Sequence, residues 1–452
     1  MAVCPPLGIL HLISSQRKWG KAGVEYRVMD LGLEDRPAET FARDVVSWKP
    51  DVVCFSVLSK EAGEMGRLAS FVKETRGETI VIAGGPHATA CSDDVMKESA
   101  VDYCVIGEGE RTFAELMDSI AGHGNPEDVR GIVHRSKGAV LRTPARSFIE
   151  DLDSLPGPAW EMIDLKRYSG KQSMNVVSAA RVYAPIMTSR ACPYECIYCH
   201  GMFGRKHRVF SVERIIGEIR ELNERFGVGE FAVLDDAFNL DMERSKRIFR
   251  EIIASGIKVK LSFPNGIRGD RVDEEMIDLM KRAGTYMVTF GVESASGRIQ
   301  QMIRKNLDLD KVQKAISMAD SEGMLVRGFF MIGFPGETVD EINKTIGFAL
   351  KSNLTMAAIS SVVPFKGTAL GKMADDVPCA EEALQDEMHY LSERPFYTRA
   401  YGVDIRAIQR RAYMKFYLRP GIILKLLRRI PRRLRYAREV YRVLNAPAAG
   451  GV

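Results

Sequence analysis

The chain reads as an α/β protein in two parts: an N-terminal doubly wound, Rossmann-like domain over residues 1–125, then a partial (β/α)6 barrel over residues 181–375. A hairpin and linker at 126–180 join them, and a helical, basic region follows at 376–452. Three observations carry this. Short apolar runs alternate with helical patterns over the first 125 residues, the signature of a parallel sheet with covering helices. A second series of six strand–helix alternations fills residues 181–375, as in a barrel that stops short of eight units. At the first strand of that second series, three cysteines stand at C-x3-C-x2-C spacing.

A length of 452 residues exceeds one ordinary core and suits two or three domains. The hydrophobic content of 46% and charged content of 27% are those of a soluble globular protein. No apolar run reaches the ~20 residues that span a bilayer and no leader pattern opens the chain, so a cytoplasmic location is expected. Eight cysteines in so long a chain make no disulfide framework. The net charge of +5 hides an asymmetry: Arg406 to Arg442 holds thirteen Lys/Arg against one acid, Glu439, a local +12 that leaves −7 elsewhere. A nucleic-acid-binding role for the body is not supported.

In the first part, Glu25–Asp30, Asp51–Ser56, Thr79–Ala83 and Tyr103–Ile106 are the predicted strands. Open α/β sheets bind ligands at strand C-termini, and two glycine-rich loops stand there: Gly84-Gly85-Pro86-His87-Ala88-Thr89 and Gly107-Glu108-Gly109-Glu110. Each glycine serves equally as a plain turn, and a lone loop histidine such as His87 serves as a structural hydrogen-bonding group. Val129 to Arg146 predicts a hairpin, and the prolines of Asp151 to Trp160 an extended linker.

In the second part, strands are predicted at Pro185–Thr188, Phe231–Leu234, Val259–Phe263, Met287–Phe290, Gly328–Ile332 and Ala358–Val363. Their C-terminal ends carry Asp235 and Asp236, Asn265 and Arg268, Glu293 and Ser294, and Gly333 to Glu337. Barrel function sits at those ends. Asp236 and Glu293 read equally as caps of the helices that follow.

Cys192, Cys196 and Cys199 lie between an apolar strand and a helix that Ser211 caps. Three thiolates on one loop can ligate three irons of a [4Fe–4S] cube and leave the fourth open. A structural zinc site would need a second Cys/His pair, and none follows at a suitable distance.

The stretch Cys192-Pro193-Tyr194-Glu195-Cys196-Ile197-Tyr198-Cys199 resembles the cluster loop of the radical S-adenosylmethionine (SAM) superfamily, including the aromatic Tyr198 before the third cysteine. The resemblance implies an open iron that binds SAM and cleaves it reductively to a 5′-deoxyadenosyl radical, with electrons from a donor such as flavodoxin or ferredoxin. Phe231 to Asp236 resembles the segment that meets the SAM amine, implying Asp235 and Asp236 as contacts. Val292-Glu293-Ser294 resembles the segment near the ribose and carboxylate, and Gly328 to Glu337, with Gly333, the segment bordering adenine.

Pro5-Pro6-Leu7-Gly8, Asp51 to Ser56 and the two glycine-rich loops resemble the cobalamin-binding domain that precedes the barrel in one branch of that superfamily. This implies cobalamin contacts at Ser56, Gly84, Gly85, His87, Gly107 and Glu108. The Asp-x-His-x-x-Gly motif is absent, so no histidine is assigned to cobalt. Family members place an apolar strand before the Pro-Pro-Leu-Gly segment, whereas Met1 to Cys4 is too short for one. Either the chain begins upstream or the sheet lacks a strand.

In the tail, Glu381 to Tyr390 and Ala407 to Tyr441 are helical by pattern, broken at Pro420 and Pro431, with Ala446 to Val452 expected to be disordered. Ile423, Leu426, Leu427, Ile430 and Leu434 recur opposite Lys425, Arg428, Arg429, Arg432 and Arg433. That pattern suits peripheral contact with the inner membrane surface, or a helix packed on the barrel with a solvated basic face. The tail also resembles family members acting on small lipophilic substrates, such as porphyrin-ring cyclases and hopanoid enzymes.

The resemblance as a whole implies a cobalamin-dependent enzyme that methylates an unactivated carbon. Rival readings are a radical cyclase or oxidoreductase without methyl transfer, a tRNA methylthiotransferase, and a cobalamin or iron–sulfur sensor. Methylthiolation usually needs a second cluster, and Cys54, Cys91 and Cys104 lie on or beside strands without its pattern. The series of SAM-contact segments argues against the sensor.

Overall fold

The computed structural model describes residues 3–97, 100–136, 138–171, 174–175, 177–375 and 403–430. Its N-terminal sheet has five strands in the order β1 (Val52–Ser56), β2 (Ile80–Gly84), β3 (Tyr103–Val105), β4 (Ile132–Ser136), β5 (Ala139–Arg142). The first three run parallel, and the hairpin β4–β5 joins their edge antiparallel. Alternation in β2 and β3 explains the double winding. Val81, Ala83 and Cys104 pack with Phe41, Val45, Leu68 and Val72 of helices Pro37–Trp48 and Ala62–Thr75. Ile82 and Val105 face Phe113, Leu116 and Met117 of helix Gly109–Ile120.

One predicted strand is absent. Glu25–Asp30 joins no ladder, although exposed and half-buried residues alternate from Gly23 to Val28. Among the described residues, no backbone group of Gly23 to Met29 makes a hydrogen bond. Its side chains still reach the two helix layers, Val24 and Tyr26 on one side and Met29 on the other. Register explains why. Asp51 O and Val57 N bond to β2, so Val52, Cys54 and Ser56 turn their backbone groups away from it, toward an edge with no neighbouring strand. Tyr26 faces Cys54 across this slot: burial raises the Tyr26 pKa, and Cys54 adds to the rise. Solvent reaches Cys54 at the rim, yet the surrounding walls push its thiol up to about 12. A strand needs a hydrogen-bonded neighbour as well as alternating residues, and here only the second condition is met.

The second sheet is all parallel and follows chain order: β6 (Tyr183–Ile186), β9 (Glu230–Val233), β10 (Lys260–Ile267), β11 (Thr285–Glu293), β12 (Leu325–Ile332), β13 (Met356–Ser361). This is the partial barrel. A separate antiparallel pair, β7 (Ser189–Arg190) and β8 (Arg208–Val209), closes the base of the cysteine loop. Ser211 caps the next helix by accepting from Arg214 N at 3.2 Å. The following helices are capped by Asp241, Asp273, Ser296, Asp308 and Thr338, so neither Asp236 nor Glu293 is a cap. The bottom of the barrel is sealed around fully buried Glu230, which accepts from Asn175, Tyr286 and the backbone of Ala179 and Ala180 at 2.7–3.0 Å.

The N-terminal helix Leu7–Trp19 belongs to the barrel core, where Leu7 and Leu10 join Ile186, Phe210 and Ile215, while the N-terminal sheet keeps its own two apolar layers. The tail helices Ile405–Tyr417 and Pro420–Arg429 dock on the barrel through Ala412, Phe416 and Ile422. Lys425 and Arg429, expected on a solvated basic face, instead bind Asp320 at 2.7 and 2.5 Å. No helix among the described residues is long and apolar enough to cross a membrane. The predicted helix Glu381 to Tyr390, Leu434, Arg432, Arg433 and Ala446 to Val452 lie outside the described residues.

Candidate active site

The cysteine loop leaves β7 through Ala191, which is buried and holds φ 74°, a left-handed conformation that costs about 1–2 kcal/mol in a residue with a Cβ. Asp235 compensates by anchoring the loop's entry. Its buried carboxylate accepts from Thr188 N at 2.6 Å, Thr188 Oγ1 at 2.5 Å and Ser189 Oγ at 2.6 Å. Arg244 adds a bond to Thr188 O at 2.6 Å. Ile197 in the middle of the loop is pinned on both sides, its N to Ile303 O at 3.2 Å and its O from Leu370 N at 2.8 Å.

The three thiols lie within mutual electrostatic reach. Burial raises the Cys199 thiol to about 12, and Asp236, Cys196 and Cys192 add to it; Cys192 is raised by the same kinds of cause. Among the described residues no three Cys, His, Asp or Glu converge on one metal ion. A cube does not ask for convergence, because each thiolate takes its own iron, so an accessible loop with three neighbouring thiols fits it. Tyr198 packs on Phe334 at 6.3 Å and its hydroxyl neighbours Cys196, which locks the loop against the end of β12.

The adjacent acids separate by environment. Asp235 is engaged as above, whereas Asp236 is exposed to solvent and makes no hydrogen bond among the described residues. Burial by its surroundings, then Asp235, raises its carboxyl to about 6. A free carboxylate beside Cys192 and Cys199 fits an ammonium ligand. Glu293 sits at φ 64° and binds Lys305 at 2.8 Å; Ser294 is fully buried against Thr345 at 3.2 Å. Gly333, at φ 88°, donates to Glu337 at 2.7 Å. Ser294 and Gly333 therefore shape the strand ends, and their polar groups are already paired.

At the N-terminal sheet, Ser56 and Leu58 are exposed at the end of β1. Gly85 takes φ 90° with room for no Cβ, which would meet Val57 N at 3.0 Å, and Gly107 takes φ 74° with open space before it. This accessible rim, which Gly84 completes, fits a large ligand lying across the strand ends. His87 is buried and its Nδ1 pairs with Ser59 at 3.2 Å, a structural role. Glu108 corrects the expectation of a ligand contact: it is buried, and both oxygens are taken by Arg190, Arg208 and Ile149 N at 2.7–3.0 Å. Cys91 and Cys104 are buried in the N-terminal part, away from any cluster pattern.

Sequence reasoning missed Thr188, Ser189, Arg190, Arg208 and Lys305, whose partners lie 12 to 100 residues away. The one signal was the pair of arginines flanking the cysteine loop. It also missed Arg327, a buried cation on β12 that donates to Pro264 O at 2.8 Å and lies 4.5 Å from the Phe329 ring.

Two family signatures match: the Radical SAM superfamily over residues 186–349 and the B12 binding domain over residues 2–117. An uncharacterized methyltransferase of Pyrococcus horikoshii is 30% identical over 434 residues, 93% of this chain and 89% of that protein. Cytidylyl-2-hydroxyethylphosphonate methyltransferase of Streptomyces wedmorensis is 27% identical over 414 residues, 81% of this chain and 77% of that protein. Among solved structures, the radical SAM methyltransferase TsrM of Kitasatospora setae, with cobalamin and a [4Fe–4S] cluster bound, superposes with a TM-score of 0.67. Its identity is 17%, over 82% of this chain and 72% of that one, and the likeness is one of fold.

Proposed function

The chain belongs to the radical SAM superfamily, in the branch that carries a B12 binding domain, and from that premise we propose that it methylates an unactivated carbon of a small, lipophilic molecule. It is an enzyme whose cofactors are a [4Fe–4S] cluster, SAM and cobalamin. When bound, the cluster and SAM supply a hydrogen-abstracting 5′-deoxyadenosyl radical, and cobalamin supplies the methyl group.

In this reading Cys192, Cys196 and Cys199 hold the cluster, and Asp235 holds the loop that carries them. Asp236 binds the SAM ammonium. Tyr198, Glu293 with Lys305, Ser294 and Gly333 shape the surrounding wall. Ser56, Gly84, Gly85 and Gly107 form the cobalamin rim, with His87 supporting it from beneath.

The observation that carries the reading is that Glu108, beside the glycine rim, bonds to Arg190 at 2.9 Å, two residues before Cys192. Rim and cysteine loop thereby share one interface, where a methyl donor and a radical must meet. Lys366 to Asp94 at 2.9 Å makes a second tie across the same interface. An apolar substrate suits Phe329 and Met331, half-buried on the face of β12 that also carries Arg327. Methyl transfer is favoured over ring closure because the two relatives above are named methyltransferases. The tail is read as barrel support, since Asp320 ties down two of its cations. A one-electron donor of the flavodoxin or ferredoxin type completes the system.

The test is anaerobic. The chain is purified with cobalamin available, its cluster is reconstituted, and SAM is added under reduction. Retained cobalamin in the visible spectrum together with 5′-deoxyadenosine formation is expected, and methyl-labelled SAM then identifies the acceptor. Full iron content in Cys196→Ala would refute the cluster assignment, and cleavage without cobalamin retention would refute methyl transfer by this route.

A further inference from the structure

Arg190 and Arg208 stand directly opposite each other in the two-residue ladder that closes the cysteine loop. Both side chains are almost completely buried. Like charges facing each other across a strand pair destabilise it, and burial removes the water that would screen them. On its own, then, the base of the loop should spring apart.

Two carboxylates from the loop and helix that follow β3 of the N-terminal sheet prevent this. Glu108 Oε1 accepts from Arg190 Nη1 and Arg208 Nη1, each at 2.9 Å, so one carboxylate sits between the two guanidinium groups. Glu110, the second residue of the helix that starts at Gly109, takes Arg190 Nη2 at 2.5 Å. The four charges sum to zero. The remaining bonds are to the chain itself: Arg208 donates to Ile149 O at 2.7 Å and Phe203 O at 2.8 Å. Phe203 and Phe148 flank Arg190 and Arg208, with centroids at 5.2 and 5.0 Å.

We propose that Glu108 and Glu110 are positioning residues that make closure of the cysteine loop conditional on docking of the N-terminal sheet. The ladder forms only when a carboxylate from that sheet enters between the arginines, so the loop is ordered only where the glycine rim already faces it. Such coupling would keep radical generation from a barrel whose methyl donor is out of place. The proposal rests on the cluster reading of Cys192, Cys196 and Cys199 for its meaning, but its physical core is a statement about the protein alone.

Hydrogen exchange on the full chain without cofactors tests it. In Glu108→Gln, which keeps the shape and removes the charge, amides of residues 189–210 are expected to exchange about tenfold faster or more, while β11 and β12 stay within about twofold. The double variant Glu108→Gln/Arg208→Gln restores neutrality and is expected to recover to within about threefold of wild type, because no buried charge is left unpaired. An unchanged loop in Glu108→Gln overturns the proposal. So does acceleration spread equally over β11 and β12, or a double variant no better than the single, since either describes ordinary structural support. Should Glu108→Gln fail to fold, Glu110→Gln is read by the same criteria with a smaller expected change. Iron uptake by the wild-type chain tests the cluster reading separately, and its failure would leave the exchange result standing.

Discussion

Two adjacent acids with opposite roles give the sharpest test of the site. Asp236 makes no hydrogen bond among the described residues, so Asp236→Asn removes no internal contact, and because burial and Asp235 disfavour its charged form, stability is expected to be unchanged or slightly higher. What it removes is the charge offered to an ammonium ligand. A hydrogen bond to a charged group contributes about 1.5–3 kcal/mol, so SAM affinity is expected to fall about 10- to 150-fold. Asp235→Asn should do the reverse. Three donors at 2.5–2.6 Å lose one acceptor oxygen and the negative charge, which costs about 1–3 kcal/mol and loosens the loop. Its melting temperature and iron content drop, while SAM affinity per bound cluster changes little. Calorimetric titration of SAM, iron analysis and thermal melting on the two variants separate the cases. In the wild type, affinity should also fall as pH drops through about 6, because the raised carboxyl of Asp236 protonates there and loses its charge. The reasoning is refuted if Asp236→Asn binds SAM as tightly as wild type, or if it loses iron while Asp235→Asn keeps it.

Other perturbations have equally definite outcomes. His11 is buried, and burial, then Arg190, lowers its pKa to about 4. The unfolded chain therefore binds the extra proton between about 6.5 and 4, stability falls by about 3 kcal/mol as pH drops through that window, and His11→Asn should flatten that part of a melting-temperature profile. Glu230→Gln leaves donors at the barrel floor facing an amide, and a loss of about 3 kcal/mol, seen as a melting temperature lower by about 3 °C with iron content retained, is expected. Asp320→Ala removes the carboxylate that pairs Lys425 and Arg429 and leaves them only backbone acceptors, and limited proteolysis should then cut near Leu418 faster while SAM cleavage persists.

Much of this architecture was legible because it is local. Short apolar runs between helical patterns marked all six barrel strands and three of the four strands predicted in the first part, and the cysteine spacing pointed to the loop that β7 and β8 close. Ser211 capped its helix as its residue type and place require. Glu25–Asp30 shows where such reasoning stops: the residues alternate and even reach both helix layers, yet pairing depends on a neighbour that the pattern cannot report.

The roles of charged groups were decided only in three dimensions. Asp235 and Asp236 are indistinguishable as neighbours in a sequence, and packing against Thr188 and Ser189 makes one an anchor and leaves the other open. Glu108 looked like part of a ligand loop until it was found between two arginines 82 and 100 residues away. Lys425 and Arg429 looked solvated until Asp320, more than a hundred residues earlier, met them. Apolar periodicity is written along the chain because each element must bury one face whatever it packs against. A buried charge needs a particular partner at about 3 Å, and which distant residue arrives there is settled by how the two sheets dock.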